Sequence, residues 1–159
     1  MESLNKEIRH LEELIQKKDI FKARRLADHL KKRFPGEKCL ILPVARIHLM
    51  SGKVAEAMHL AQTASMKLNF NIEALSLLGY CHQRLGEHSK AAETYEQIIA
   101  KAPKSTFAYF QLGETLKECG KHDEAIDAYN KSADLDKDGD IRMMAEEKII
   151  QIKEDLIQD

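Results

Sequence analysis

The sequence predicts an all-α fold in which pairs of helices stack into an α-solenoid. The first observation is a period of 34 residues, the step that separates Gly52, Gly86 and Gly120. The second is that small side chains recur with the same step, at Ala23, Ala57, Ala91 and Ala125. The third is that each period contains two segments whose apolar residues fall at helical spacing. A repeat of this length indicates stacked units that share a continuous core.

The period divides the chain into four repeats and a final helix. The repeats cover residues 4–37, 38–71, 72–105 and 106–139, and a capping helix covers residues 140–157. In the first repeat, Ala23 and Pro35 keep the register. In the second, Ala45 replaces an expected glycine, and Pro43 falls early in the first helix. Because proline is tolerated only in the first turn, we expect that helix to start late or to be kinked.

Glycines mark two kinds of position in the last two repeats. Gly86 and Gly120 lie between the two helices of a repeat, where a left-handed residue ends the first helix. Gly79 and Gly113 lie inside a helix, where glycine costs about 1 kcal/mol relative to alanine. We therefore expect the paired helices to approach closely at these glycines, and Tyr95 and Tyr129 to fill the wider gap to the next repeat.

These features resemble the tetratricopeptide repeat family. The segments that carry the resemblance are LLGYCHQRLGEHSKAAETYEQIIAKAP (77–103) and QLGETLKECGKHDEAIDAYNKSADLD (111–136). They have the family's Leu-Gly, Gly, Ala and Tyr positions at matching offsets, and the first also has its Pro position. With the two weaker repeats and the capping helix, the resemblance covers essentially the whole chain. It implies a right-handed α-solenoid that acts as a protein-interaction scaffold or adaptor, with neither catalysis nor a cofactor.

The resemblance also implies which residues line the concave groove, since the first helix of each repeat faces it. The implied groove residues are Leu42, Arg46, Leu49, Met50, Glu73, Ser76, Tyr80, Gln83, Arg84, Phe107, Phe110, Glu114, Lys117 and Glu118, with Gln111 beside them. This mixture of apolar, aromatic and charged residues suits an extended peptide or a helix of a partner protein. Among them, we expect Tyr80 and Phe110 to anchor the partner. Arg46 and Arg84 are expected to pair with its acidic groups.

Some members of the family hold acidic chaperone C-termini with a clamp of lysine, asparagine, asparagine, lysine and arginine. In one register the clamp positions are Leu42, Arg46, Leu77, Phe107 and Gln111. The register one repeat earlier matches no better. Binding of chaperone C-termini by this clamp is therefore not predicted.

The segment DLDKDGD, residues 134–140, raises an alternative function. Asp134, Asp136, Asp138 and Asp140 alternate in a way that is similar to the calcium loop of an EF-hand. The twelfth position of that loop, however, is Ala145 instead of a bidentate glutamate. We interpret the segment as a turn in which Asp140 caps the following helix, and we keep a calcium-responsive switch as the alternative.

The capping helix raises a second alternative, a structural subunit that self-associates. One helical face is expected to cover the last repeat, and it consists of Ile141, Met144, Ala145, Lys148, Ile149, Ile152 and Leu156. Met143, Ile150 and Ile157 lie off that face. If these three side chains are exposed, they favour self-association. We therefore expect a monomer or a weakly self-associating chain.

Composition excludes several classes of partner. The formal net charge is −1, which predicts neither nucleic-acid nor membrane binding. No segment has the apolar length of a signal peptide or a membrane span, and three widely spaced cysteines indicate reduced thiols in the cytoplasm.

The charge is nevertheless distributed unevenly along the chain. Residues 17–33 carry eight basic and two acidic groups, whereas residues 134–159 carry nine acidic and four basic groups. This asymmetry favours head-to-tail contact or an acidic partner at one end.

Overall fold

The computed structural model describes residues 2–69, 71–137 and 139–158. The α-helices in this part of the chain are α1 (Glu2–Gln16), α2 (Ile20–Arg33), α3 (Ile41–Met50), α4 (Val54–Lys67), α5 (Ile72–Arg84), α6 (His88–Lys101), α7 (Thr106–Glu118), α8 (His122–Leu135) and α9 (Asp140–Gln158). They form two compact units, Met1–Leu85 and Gly86–Asp159. None of the described helices is both long enough and apolar enough to cross a lipid bilayer.

Side-chain caps define where three of the helices begin. Asp19, Asn71 and Ser105 precede α2, α5 and α7. Each accepts a hydrogen bond from the backbone N–H three residues further on, at 3.1, 2.7 and 3.2 Å respectively. These bonds satisfy donors that have no partner within the helix.

Helix α3 starts late, as the position of Pro43 predicted. Helices α5 and α7 begin at Ile72 and Thr106. The matching residue of the second repeat, Lys38, opens a 3-10 turn, and α3 begins only at Ile41. Pro43 is therefore the third residue of α3, where the lack of an N–H removes no intrahelical hydrogen bond.

The core of the first unit combines large aliphatic side chains with alanines. Its first three helices and the 3-10 turn bury Leu4, Leu11, Ile15, Ala23, Ala27, Leu30, Leu40, Val44 and Ile47. A smaller cluster of Leu42, Ala64 and Ala74 connects α3, α4 and α5. The repeated alanines Ala23 and Ala57 are at most 1% exposed. Their short side chains allow the helices to pack closely, as the period predicted.

The core of the second unit is organised around Tyr129. A Cβ atom added to Gly113 would lie 2.8 Å from atoms of the Tyr129 ring, so the ring occupies the space that the glycine leaves open. Phe110 packs against the same ring edge-to-face, with the two ring centroids 5.5 Å apart. The predicted close approach at Gly113 is therefore confirmed. The Tyr129 ring fills a gap inside its own repeat and also belongs to the core cluster that includes α9, and Tyr95 packs on Phe107 of the next repeat, as predicted.

Left-handed residues connect the helices within the repeats. Gly52, Gly86 and Gly120 have φ angles of 77, 73 and 72°, as expected for residues that end a helix in this conformation. The matching residue of the first repeat is Lys18, whose φ is 57°. A side chain in this region costs of order 1–3 kcal/mol, so the first connection is under more strain than the later ones.

Helix α9 packs on the second unit with the face that the sequence predicted. Ala145, Ile149 and Ile152 are buried in the core that contains Tyr129. Towards the ends of this face, Met144 and Leu156 are exposed. The central part of the predicted face therefore covers the last repeat.

The cap of α9 is Asp136, which corrects the predicted role of Asp140. The Asp136 carboxylate accepts hydrogen bonds from the backbone N–H groups of Ile141 at 3.0 Å and Arg142 at 3.2 Å. Asp140 is the first residue of the helix. A side chain at Gly139 would collide with the Asp136 carboxylate, so this glycine permits the aspartate to fold back over the helix terminus.

Replacing Lys18 by glycine is expected to stabilise the protein. Glycine adopts the left-handed conformation without strain, but it also gains freedom in the unfolded chain, so the net gain is roughly 0.5–1 kcal/mol. This should raise Tm by about 1–4 °C in thermal unfolding followed by circular dichroism. The control is Lys17→Gly, because the backbone of Lys17 is not left-handed and glycine relieves no strain there. An equal rise for Lys17→Gly would contradict the explanation.

Adding a methyl group at Gly113 is expected to destabilise the second unit. The steric conflict with Tyr129 costs about 1–3 kcal/mol, which outweighs the helix propensity of about 1 kcal/mol that alanine gains. Chemical denaturation of Gly113→Ala, Tyr129→Ala and the double variant tests this as a cycle. In the Tyr129→Ala background, Gly113→Ala should no longer destabilise the protein. A cost that is the same in both backgrounds would exclude this steric contact as the cause.

Candidate protein-interaction surface

The predicted groove residues differ widely in exposure. Glu73, Tyr80, Arg84, Phe107 and Glu118 are exposed, and Arg46, Leu49, Met50, Ser76, Gln83, Gln111, Glu114 and Lys117 are half-buried. Leu42 and Phe110 are buried, with 6% and 8% of their surface exposed. Three helices carry this set: α3 and α5 in the first unit, and α7 in the second.

Arg46 pairs with carboxylates of its own unit. From α3, its guanidinium donates a hydrogen bond to Glu12 of α1 at 2.8 Å. It also donates to Glu73 of α5. Both of its carboxylate partners therefore come from neighbouring helices. This guanidinium is already neutralised before any ligand binds.

Tyr80 and Arg84 form an exposed pair on α5. Tyr80 is 39% exposed. The guanidinium carbon of Arg84, one helical turn further on, lies 6.0 Å from the centroid of the Tyr80 ring. The Arg84 Nη1 atom is 3.4 Å from the tyrosine hydroxyl oxygen. Within the described ranges no carboxylate pairs with Arg84, so this cation and the aromatic ring beside it are both accessible.

The two phenylalanines of α7 differ in their surroundings. Phe107 is 42% exposed, and it packs edge-to-face on Tyr95 with ring centroids 6.4 Å apart. Phe110 lies under the surface against Tyr129. Of the two, Phe107 presents a ring to solvent, and Phe110 supports the core of the second unit.

Glu114 of α7 connects the second helix of its repeat to the capping helix. Its carboxylate accepts a hydrogen bond from the Tyr129 hydroxyl at 2.5 Å and lies 3.2 Å from the Lys148 ammonium group. Burial raises the pKa of Tyr129 above its usual range, and the bond to Glu114 raises it further. The tyrosine is therefore a permanent hydrogen-bond donor to Glu114 at neutral pH.

The sequence reasoning missed Glu12, Lys148 and the role of Tyr129 at this surface. Glu12 lies 34 residues before Arg46, and Lys148 lies 34 residues after Glu114. The same period that identified the repeats therefore relates both partners. Extending it into α1 and α9 would have identified both pairs as candidates.

The aspartate-rich segment offers fewer free carboxylates than its sequence indicates. Asp136 is engaged at the start of α9, and Asp134 and Asp140 are exposed. Asp138 lies outside the described residues. In the ranges 2–69, 71–137 and 139–158, no three His, Cys, Asp or Glu side chains are grouped in a way that would hold a metal ion.

The three cysteines differ in their access to solvent. Cys39 and Cys119 are exposed, and Cys81 is buried. Burial raises the pKa of the Cys81 thiol to about 11, with a small opposing effect from Arg84. Because the thiolate is the nucleophilic form, Cys81 is unreactive at neutral pH.

The fold defines a class, the all-α solenoids of tetratricopeptide type. A family model described as "Anaphase-promoting complex, cyclosome, subunit 3" matches residues 50–132, which is more than half of the chain. The chain belongs to this tetratricopeptide repeat family.

Individual relatives agree with this assignment. "Tetratricopeptide repeat protein 6" of Homo sapiens is 27% identical over 81 residues, which are 51% of this chain and 16% of that protein. This chain therefore spans about one sixth of the length of that curated relative. A crystal structure of MamA protein is 24% identical with a TM-score of 0.76, covering 96% of this chain and 82% of that one. The Sgt2 TPR domain from Aspergillus fumigatus is 21% identical with a TM-score of 0.69, covering 78% and 83%. The two structural likenesses show the fold.

Alkylation should distinguish the buried thiol from the exposed ones. At pH 8, iodoacetamide is expected to modify the native chain at two sites, Cys39 and Cys119, as counted by intact mass spectrometry. Cys81 should react only after unfolding in guanidinium or as the pH approaches its pKa of about 11. The variant Cys119→Ser should reduce the native count to one. Rapid modification of Cys81 in the native chain would contradict its burial.

Proposed function

We propose that the chain is a non-catalytic adaptor that binds a peptide or helix of a partner protein through the first helices of its repeats. The observation that carries this proposal is the exposed Tyr80–Arg84 pair on α5. Aromatic and arginine side chains dominate the energetics of many protein interfaces. The family match supports the same function, because its description names a subunit of a complex.

The internal charge pairs indicate which cation is available to a partner. Arg46 is already held by Glu12 and Glu73, whereas Arg84 is placed beside an aromatic ring. A partner segment that combines an apolar side chain for Tyr80 with a carboxylate for Arg84 matches this arrangement. We infer that the partner carries an acidic residue where it meets Arg84.

The anchor in the second unit is reassigned from Phe110 to Phe107. Phe110 is 8% exposed and packs on Tyr129, so its removal acts mainly on stability. Phe107 presents its ring to solvent and is supported by Tyr95. Each of these contacts already exists in the free protein, and a preformed surface lowers the ordering cost of binding.

The proposed absence of catalysis rests on chemistry. The sequence has no phosphate-binding loop, metalloprotease motif or nucleophile elbow. The buried thiol beside His82 is protonated at neutral pH. With reduced cysteines and no net basic charge, we place the protein in the cytoplasm with a protein partner.

The test compares capture of partners from native-cell lysate by the wild type, Tyr80→Ala and Phe107→Ala. Losing one anchor of this kind costs about 2 kcal/mol, or roughly 30-fold in affinity. The control is Phe21→Ala, which removes a more exposed aromatic side chain on α2, outside the predicted groove. A protein retained by the wild type and Phe21→Ala, and lost by Tyr80→Ala, is the expected result.

Charge reversal at Arg84 tests the chemistry of that partner. The same captured protein should be lost by Arg84→Glu and retained by Arg46→Gln, since Arg46 is neutralised internally. Circular dichroism establishes that each variant is folded. Equal recovery by all variants would assign the interaction to another surface.

A further inference from the structure

A groove between the two helices of a repeat recurs at matching positions of the 34-residue register. In the first repeat it is a cavity of about 360 Å³ lined by His10, Leu14, Lys22, Arg25, Leu26 and His29. In the fourth repeat a cavity of about 330 Å³ is lined by the matching Leu112, Leu116, Glu124, Asp127, Ala128 and Lys131. The two grooves therefore have the same origin and similar size.

These two grooves carry opposite charge. The first has an apolar floor of Leu14 and Leu26, and none of its lining residues is acidic. Asp19 and Glu13 lie at its margin, paired with Lys22 at 3.0 Å and His10 at 3.8 Å. The fourth groove has three acidic lining residues, Glu96, Glu124 and Asp127, against one lysine. An acidic ligand would therefore select the first groove over the fourth.

Helix α9 presents a face that is complementary to the first groove, because it combines apolar and acidic side chains. Met143, Ile150 and Ile157 are 64, 57 and 84% exposed, as the sequence predicted for residues off the packed face. At 100° per residue, Glu146, Glu147 and Glu154 fall on the same side of the helix as these three. All three glutamates are exposed. The result is an apolar ridge flanked by carboxylates, of which Glu146 pairs with Arg142 at 2.9 Å, with Lys153 at the edge of the same side.

The register explains why this ridge is apolar. Met143 and Ile150 of α9 match Tyr109 and Leu116 of α7. Those two residues line the fourth groove beside side chains of α8. The same face of α9 is instead open to solvent, and apolar side chains repeated at one face of a helix favour association.

We infer that the apolar ridge of α9 docks into the basic groove between α1 and α2 of a second copy of this chain. Met143 or Ile150 would contact Leu14 and Leu26, and Glu147 and Glu154 would face Arg25 and His29. The sizes agree: successive ridge residues are about 10 Å apart, and the α2 lining from Lys22 to His29 extends about 10 Å. This contact does not depend on the proposed adaptor function.

Such a contact is heterologous, because the groove and the ridge are different surfaces. Copies joined in this way either extend as an open chain, whose mass rises with concentration, or close into a ring or a reciprocal dimer. A symmetric contact between two α9 helices would stop at the dimer. A charge change in the groove distinguishes the two arrangements, because it weakens the groove–ridge contact and leaves a contact between two α9 helices intact.

The experiment uses the full-length chain and sedimentation up to about 1 mM, where a contact with a Kd of about 1 mM is substantially populated. The groove variant is Arg25→Glu/His29→Glu, and the ridge variant is Ile150→Glu. Both sets of residues are exposed, so folding should be retained, which circular dichroism checks. Lys32→Glu on α2 and Gln151→Glu on α9 are the matched charge controls.

The expected result has three parts. The wild type and both controls associate as concentration rises, each variant alone loses association by about tenfold or more, and an equal mixture of the two variants forms a two-chain complex. Three outcomes would overturn the inference: a wild type that stays monomeric, a groove variant that still dimerises, or variants that associate like the wild type.

Discussion

The close approach of paired helices is the constraint on which the structure depends. At the repeated position, Ala23, Ala57, Ala91 and Ala125 are at most 1% exposed, so no larger side chain fits there without moving a helix. Gly113 extends the same constraint, because the Tyr129 ring occupies the place of its missing side chain. Short side chains at these contacts set the separation of the helices. That separation decides which residues of each first helix reach the surface.

Charge organises what that surface can bind. Arg46 is held by Glu12 and Glu73, and Lys148 by Glu114. Half-exposed pairs of this kind add little to stability, but they determine which charges a ligand meets. Tyr80 and Arg84 stay accessible, while the grooves of the first and fourth repeats carry opposite charge. One repeated scaffold thus presents chemically different surfaces, because the register conserves positions and not charges.

Most of the fold could be predicted from local patterns. The helix pairs, the left-handed Gly86 and Gly120 and the late start of α3 follow from periodicity and from the backbone preferences of glycine and proline. The exposure of the candidate site residues was harder to predict from the sequence. Phe110 and Phe107 both belong to the predicted groove set, yet the first is buried and the second exposed. Each ring packs on a tyrosine, but Phe110 lies in the core cluster that α9 completes, whereas Phe107 stays at the surface.

The sequence by itself determined the 34-residue period, the helical class and the positions where short side chains must lie, because these depend on spacing and side-chain size alone. The tertiary structure decided which polar groups bind one another. Asp136 rather than Asp140 caps α9, since the missing side chain of Gly139 leaves room for the Asp136 carboxylate at the helix terminus. The register brings Glu114 and Lys148 to matching positions of α7 and α9, but their pairing also requires side chains long enough to meet across the packed helices. Spacing predicts such neighbours, whereas the choice among several possible partners depends on distances that exist only after the helices have packed.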